Sequence, residues 1–238
     1  MKRALVLTQK ELHSWLYTPA LYGIAFFFLA FVSIWFYYFQ RFFAMNTASF
    51  RSFFAGFPLA FVLVIPALTM KSWTDEKKHA SIDLLFSLPF TECELVLGKF
   101  LASFTILSVF IILTLPVPLS IVPLGNFDTG VIIAEYFGCL LLGAAACALG
   151  QFLSSICKTQ AAAFLGTAVI LLAMTLLNTI SSDLPAFLAR FINSFSLVFH
   201  FESFSRGILD SRDIAFFLLA SGLFLFLNVQ SLVIRKWM

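Results

Sequence analysis

The chain has 238 residues, of which 61% are hydrophobic and 11% charged, and its mean hydropathy is +0.99. An average soluble domain carries about 25% charged residues, so this composition argues against a water-soluble fold. The net charge of +3 arises from 15 basic and 12 acidic residues, and the sequence shows no clustered basic face that would indicate a nucleic-acid partner. The four cysteines have neither zinc-ligand nor disulfide-framework spacing, so no bound metal or cofactor is predicted for this chain.

Residues 1–17 form the first predicted element. Its apolar side chains share one helical face: Leu5, Leu12, Trp15 and Leu16. The pattern ends at Thr18 and Pro19, and an amphipathic helix of this kind lies in the membrane interface. We therefore expect an N-terminal interfacial helix, with an ordinary charged tail as the alternative.

Six apolar runs follow, each long enough to cross a bilayer as a helix. They cover residues 20–39, 53–70, 100–122, 131–153, 161–180 and 214–234. A bilayer offers no hydrogen-bond partner to backbone groups, and the runs lack the alternation of a barrel strand, so continuous helices are expected. The sequence thus predicts an all-α polytopic membrane protein of six spans that forms one domain, 1–238.

Two compositional features predict how these spans pack. Prolines at 58, 66, 116 and 118 interrupt the second and third spans and should kink them. Residues 143–150 are rich in glycine and alanine, which let helices approach closely. This stretch should therefore face protein and not lipid.

The distribution of Lys and Arg predicts the orientation. With six spans, ten of the fifteen basic residues lie on the side that holds both termini. Because positively charged loops stay on the cytoplasmic side, both termini are expected to be cytoplasmic. The expected location is a bacterial inner or cytoplasmic membrane.

The long cytoplasmic loop, residues 71–99, carries strong local signals. Thr91 and Glu94 form a capping box, so a helix should begin near residue 92. Upstream, an apolar face made of Ile82, Leu85 and Phe86 predicts a short amphipathic helix, which Pro89 ends.

The order of motifs in this loop resembles the coupling-helix region of ABC type-2 (ABC-2) transporter permeases. The residues that carry the resemblance are Ala80–Leu85 (ASIDLL), Ser87-Leu88-Pro89 and the pair Gly98-Lys99. The family commonly has Gly, Thr and Glu where this chain has Ala80, Ser81 and Asp83. Residues 199–213 further resemble the gliding-motility-associated branch of these permeases.

The resemblance implies a transport subunit without its own ATPase site. The expected role is that of an exporter driven by separate cytosolic ABC ATPase subunits, which bind ATP and magnesium. It also implies a dimer with a second permease copy or a paralogue, within a lipid bilayer. The residues expected to couple to the ATPase are Asp75, Glu76, His79, Ile82, Asp83, Leu84, Leu85, Phe86, Leu88 and Pro89.

The outer segment before the last span, residues 181–213, reads as helical and amphipathic, because Phe187, Phe191, Phe195 and Phe199 recur every four residues. Either a re-entrant pair or an interfacial helix fits, and both could shape an outer gate. The candidate gate residues are Phe195, Phe199, Glu202 and Arg206. Glu202 and Arg206 are spaced as a helical ion pair.

Rival functions have weaker support. Glu135 is the single charged residue within the six runs, and its position near a span end should let it reach interfacial water. An ion-coupled secondary transporter usually has carboxylates near the midplane.

An intramembrane protease needs a buried nucleophile and base, but His13, His79 and His200 lie outside the runs. Gly98-Lys99 lacks the remainder of a phosphate loop, which excludes a self-contained ATPase.

Overall fold

The computed structural model describes residues 2–40, 49–78, 90–124, 127–181 and 185–236, and every regular element in these ranges is helical. The helices are α1 (Lys2–Leu16), α2 (Pro19–Ile34), α3 (Arg51–Phe54), α4 (Phe57–Thr69), α5 (Lys71–Lys78), α6 (Glu92–Ile112), α7 (Pro116–Ile121), α8 (Thr129–Ile156), α9 (Gln160–Ser181), α10 (Ala186–Asn193), α11 (Leu197–Ser205) and α12 (Ser211–Lys236). A π-helical turn, Trp35–Phe39, extends α2.

Six helical segments in the described ranges are long and apolar enough to cross a membrane. They are Pro19–Phe39, Arg51–Lys78, Glu92–Ile121, Thr129–Ile156, Gln160–Ile180 and Ser211–Arg235. Their most apolar windows have mean hydropathies of 2.0 to 2.4, which suits a hydrocarbon environment. The predicted all-α, six-span fold is confirmed.

The fourth span, α8, is the centre of the bundle and packs against α4, α6, α9, α11 and α12. The small residues predicted to face protein do so: Ala145, Ala146, Cys147 and Ala148 are all buried. At Gly143, an added Cβ would come within 2.6 Å of Leu107 on α6. The missing side chains therefore allow the neighbouring helices to approach closely.

The prolines coincide with breaks in the second and third spans. Pro58 lies in the first turn of α4, just after the short helix α3, and Pro116 begins α7 after α6 has ended at Ile112. Pro66 lies within α4, three residues before this helix ends at Thr69. The missing proline N–H groups thus divide each span into shorter helices.

Phenylalanine fills the core where the first three spans meet. Phe28 on α2 lies against Phe57, Phe61 and Phe110, with ring centroids 5.7 to 6.2 Å apart. All four rings are buried. Rings in edge-on or offset contact at these distances stabilise a core beyond the area they bury.

The N-terminal helix forms as predicted, and it packs against the start of α6 through Ala4, Leu7 and Thr8. The Thr8 hydroxyl donates a hydrogen bond to the Gly98 carbonyl oxygen at 3.1 Å. Leu5 and Leu16, assigned to the apolar face from sequence, are exposed at the protein surface. The helix therefore contacts protein on one side and presents apolar side chains on the other, and its place in the membrane interface stays a prediction.

Gly98 sets the distance between α1 and α6, which makes it a test of this packing. A Cβ at Gly98 would lie 2.8 Å from Leu7 Cδ2 and 3.1 Å from the Ala4 carbonyl oxygen, whereas a Cβ at Gly23 would meet nothing within 4 Å. Alanine favours a helix over glycine by ~1 kcal/mol, but forced overpacking costs about 1–3 kcal/mol. We expect Gly98→Ala to lower the unfolding temperature of the detergent-purified protein.

Gly23→Ala is the matched control, because it is the same substitution in a membrane helix with free space around it. It should leave the unfolding temperature unchanged or raise it. Equal responses of the two variants would show that α1 does not pack closely against Gly98.

Candidate functional site

The loop between the second and third spans begins and ends in well-defined helices. The second span continues into α5, which ends at Lys78, and α6 begins at Glu92. The predicted capping box is confirmed: the Thr91 hydroxyl accepts a hydrogen bond from the Glu94 N–H at 3.3 Å, and the Glu94 carboxylate accepts one from the Thr91 N–H at 3.2 Å. The two helices therefore fix both ends of the segment between them.

Most of the predicted coupling residues belong to that segment. Asp75 and Glu76 lie on α5. The others lie outside the described residues and stay predictions: His79, Ile82, Asp83, Leu84, Leu85, Phe86, Leu88 and Pro89.

A buried lysine joins three helices at the base of this loop. The Lys99 ammonium group on α6 lies 2.8 Å from the Glu76 carboxylate on α5 and 2.9 Å from the Glu11 carboxylate on α1. The Lys99 side chain is only 4% exposed, and it also lies 5.2 Å from the ring centroid of Trp73. Two carboxylates and an aromatic face thus compensate a cation that has lost its water.

Sequence reasoning identified Lys99 only as part of the family motif and missed Glu11 altogether. The available signal was Lys99 itself, a basic residue directly before a long apolar run, which needs a nearby anion if it is buried. Its two carboxylate partners are 88 and 23 positions away in the chain. Helical periodicity within one segment could not have paired them.

A second set of contacts holds α5 against the end of α8. The Trp73 N–H donates to the Ser154 hydroxyl at 3.1 Å, and that hydroxyl donates to the Met70 carbonyl oxygen at 3.1 Å. The Lys77 ammonium group donates to the carbonyl oxygens of Ser154, Ser155 and Cys157, which the end of α8 leaves without intrahelical N–H partners. The helix that leads into the loop is therefore attached to the central span.

A cavity of about 250 Å³ lies beside Lys99, between α1, α5 and the start of α6. Its lining includes Lys10, Glu11, Asp75 and Glu76. Across it, the Lys71 ammonium group lies 5.9 Å from the Trp15 ring centroid, a further contact between α5 and α1. Polar and charged groups thus line this end of the bundle where the helices separate.

At the opposite end, the predicted outer helices form as α10 and α11. The ion pair between Glu202 and Arg206 is present at 3.7 Å, and the Asn178 amide donates to the Glu202 carboxylate at 3.1 Å. Phe195 and Phe199 are 52% and 41% exposed. The candidate gate residues thus lie at the outer surface of the bundle, and a gating role stays a prediction.

The structure also pairs two outer residues that the sequence did not. His200 on α11 and Asp213 on α12 are both buried, and His200 Nδ1 lies 2.6 Å from Asp213 Oδ1. The other ring nitrogen, Nε2, lies 3.4 Å from the Ser194 carbonyl oxygen, and the ring stacks on Phe216. In a serine protease, this second ring nitrogen would face the nucleophilic hydroxyl. Here Nε2 faces a carbonyl oxygen, so the pair has the geometry of a contact that joins two helices.

The exposure of the Glu135 side chain differs from the sequence-based prediction. It is fully buried, and neither carboxyl oxygen has a hydrogen-bond partner among the described residues. In this structure the side chain is therefore not at the water-exposed surface that its proximity to a span end predicted, and α11 packs against α8 close to it. Phe204 of α11, for example, packs directly against Gly138, one turn further along α8.

The described residues contain no group of three His, Cys, Asp or Glu side chains that could hold a metal ion. The buried charges at the loop base are paired with each other, and the contacts there connect helices. What this arrangement can do is transmit a displacement of α5 to α1, α6 and α8 together.

Residues 5–193 match the model of the ABC-2 family transporter protein family. The match spans most of the chain, so this protein belongs to the ABC-2 transporter family. It is therefore a multi-pass permease subunit of an ABC transporter, a kind of subunit that has no ATPase site of its own. A comparison with curated proteins found no match.

The Lys99 cluster provides a direct test of how this end is held together. We expect Lys99→Met to lower the free energy of unfolding by about 3 kcal/mol, because it leaves two largely buried carboxylates without their cation. Thermal unfolding can be followed with a thiol-reactive fluorophore in a background in which the exposed Cys93 and the half-exposed Cys157 are replaced, since Cys139 and Cys147 are buried in the folded protein.

Two further variants distinguish charge pairing from lost packing. Lys10→Met removes an exposed lysine near the same cavity and should have little effect. The triple variant Lys99→Met, Glu11→Gln, Glu76→Gln should recover part of the stability, since no unpaired charge remains. A triple variant no more stable than Lys99→Met alone would contradict the pairing argument.

Proposed function

We propose that this chain is the membrane-spanning subunit of an ATP-driven exporter, coupled through residues 71–99 to a separate cytosolic ATPase that binds ATP and magnesium. The permease acts as a dimer with a second copy or a paralogue. It lies in the cell membrane, in a bacterium the inner or cytoplasmic membrane, with both termini cytoplasmic. Within the family we favour the gliding-motility-associated branch, because residues 199–213 resemble it.

The observation that carries this proposal is the attachment of α5. Residues 79–89 follow α5 directly, and α5 is held by Glu76 to Lys99 on α6, and by Trp73 and Lys77 to the end of α8. A force applied to the loop by a closing ATPase dimer would therefore move helices as rigid elements. Family membership supports the same reading, because ABC permeases take their energy from ATPase subunits.

The exposure of the first, fifth and sixth spans supports a dimer in the bilayer. In the most apolar windows of the first, fifth and sixth spans, only 22%, 17% and 22% of residues are buried, against 72% in the second. Three of the six spans thus present most of their apolar side chains outward, which suits contact with lipid and with a second permease subunit.

The alternatives have less support. An ion-coupled secondary transporter would draw on the buried Glu135, which has no hydrogen-bond partner among the described residues, but this is one carboxylate near the outer end of α8. An intramembrane serine protease would need a nucleophilic hydroxyl beside His200, but Nε2 of this ring faces a carbonyl oxygen. Membership in the ABC-2 family favours the ATP-driven mechanism over both.

Leu85→Glu tests the coupling segment. Glutamate keeps helix propensity nearly intact but places an unpaired carboxylate on the predicted apolar face, which any docked ATPase would bury. We expect membrane insertion to persist, while co-purification of the ATPase and coupled ATP hydrolysis fall together by tenfold or more, as ~1.4 kcal/mol of lost binding energy suffices for a factor of ten.

Leu209→Glu makes the same chemical change at an exposed position of the outer loop, where Leu209 is 58% exposed, and should keep full partner binding. If Leu85→Glu inserted normally and retained both full ATPase binding and full coupled activity, residues 80–88 would not be the coupling element.

Cysteine labelling tests the orientation. In a variant with the four native cysteines replaced, Ser87→Cys should not react with a membrane-impermeant thiol reagent in intact cells, because the Lys-rich side is retained in the cytoplasm. Ser211→Cys, at the exposed start of α12, should react. The reverse pattern would contradict the proposed orientation.

A further inference from the structure

Four basic residues gather around a cleft at the end of the bundle that holds the termini. Lys77 and Lys78 come from the end of α5, Lys158 from the short turn between α8 and α9, and Arg235 from the last turn of α12. The cleft has a volume of about 880 Å³. These cations come from three separate stretches of the sequence, and the packing of the helices brings them into one basic cluster.

Acidic side chains do not neutralise this cluster within the described ranges. None of the four cations forms an ion pair there, and the partners of the Lys77 ammonium group are carbonyl oxygens. Lys77 and Arg235 line the same cleft, so their like charges add to its positive potential. Asp75, on the adjoining face of α5, already accepts a hydrogen bond from the Gln160 amide. The cleft therefore carries a concentrated positive charge, which an anion would stabilise.

The position of the cleft places it at the membrane surface. The second and fourth spans end at Lys78 and Ile156, the fifth begins at Gln160 and the last ends at Arg235. All four of these residues line the cleft, together with Ile234. Ile156 and Ile234 are each 56% exposed. The cleft thus combines apolar side chains at the hydrocarbon boundary with cations at the level of the lipid headgroups.

We propose that this cleft binds the phosphate headgroup of an anionic phospholipid from the leaflet on the terminus-bearing side. Phosphate is the anion that lysine and arginine bind best in such a cluster, and the exposed isoleucines suit the adjoining acyl chains. A concave site of this volume fits a headgroup better than it fits the flat surface of a protein partner. Occupation would link α5, the turn before α9 and α12 through one ligand.

The experiment uses the purified full-length chain without its ATPase, reconstituted in phosphatidylcholine nanodiscs. Spin-labelled phosphatidylglycerol and spin-labelled phosphatidylcholine report the relative association of each lipid with the protein. We expect the native chain to prefer the phosphatidylglycerol probe. Lys158→Gln and Arg235→Gln should each reduce that preference by about fivefold, and their combination by more, because each juxtamembrane basic residue contributes separately to anionic-lipid binding.

Arg212→Gln is the matched control: it removes an exposed arginine at the opposite end of the bundle and should leave the preference unchanged. Lys77 is left intact because it caps α8. Equal association of the two lipids with the native chain, or an unchanged preference in the double variant, would overturn the proposal.

Two further arms identify the source of the anion. Millimolar glycerol 3-phosphate should not displace the lipid probe, and displacement would assign the cleft to a soluble phosphate instead. If the double variant kept its lipid preference but lost co-purification with the ATPase, the cleft would be a protein-docking surface and the lipid assignment would be wrong.

Discussion

The ammonium group of Lys99 is buried where three helices meet, and a buried charge of this kind is stable only with its counter-charges in place. Glu11 and Glu76 supply them from α1 and α5. The positions of the N-terminal helix and of the helix that enters the long loop are thus mutually dependent. Any movement of α5 has to carry α1 and α6 with it or separate charges in a region of low dielectric constant.

Close packing around α8 gives this charged end a rigid support. Residues without large side chains let α4, α6 and α12 approach the central span, and hydrogen bonds from Trp73 and Lys77 attach α5 to the end of α8. In the proposed mechanism, the energy of ATP binding would enter at residues 79–89 and reach the membrane through these contacts. The first, fifth and sixth spans bury few of their residues, and in the proposed dimer they would contact lipid and the second subunit.

The opposite end of the bundle is held by polar contacts of a different kind. Asn178 links α9 to Glu202 on α11, and His200 links α11 to Asp213 on α12. The outer helices are therefore tied to the fifth and sixth spans as well as to α8. Glu135 lies beneath them, fully buried and without a hydrogen-bond partner in the described part of the chain.

The sequence by itself determined the number of spans, the helix start at Glu92 and the small-residue face of the fourth span. Each of these follows from local properties: apolar run length, a capping box over four residues and the absence of side chains. The family resemblance also came from a contiguous motif, and the family match supports it. Only the tertiary structure decided that Lys99 pairs with Glu11 and Glu76 and that His200 meets Asp213. It also decided that Glu135 is buried and that cations from three separate stretches of the chain share one cleft. These features depend on how helices far apart in the chain approach one another, and helical periodicity specifies the face of a helix but not the partner that covers it.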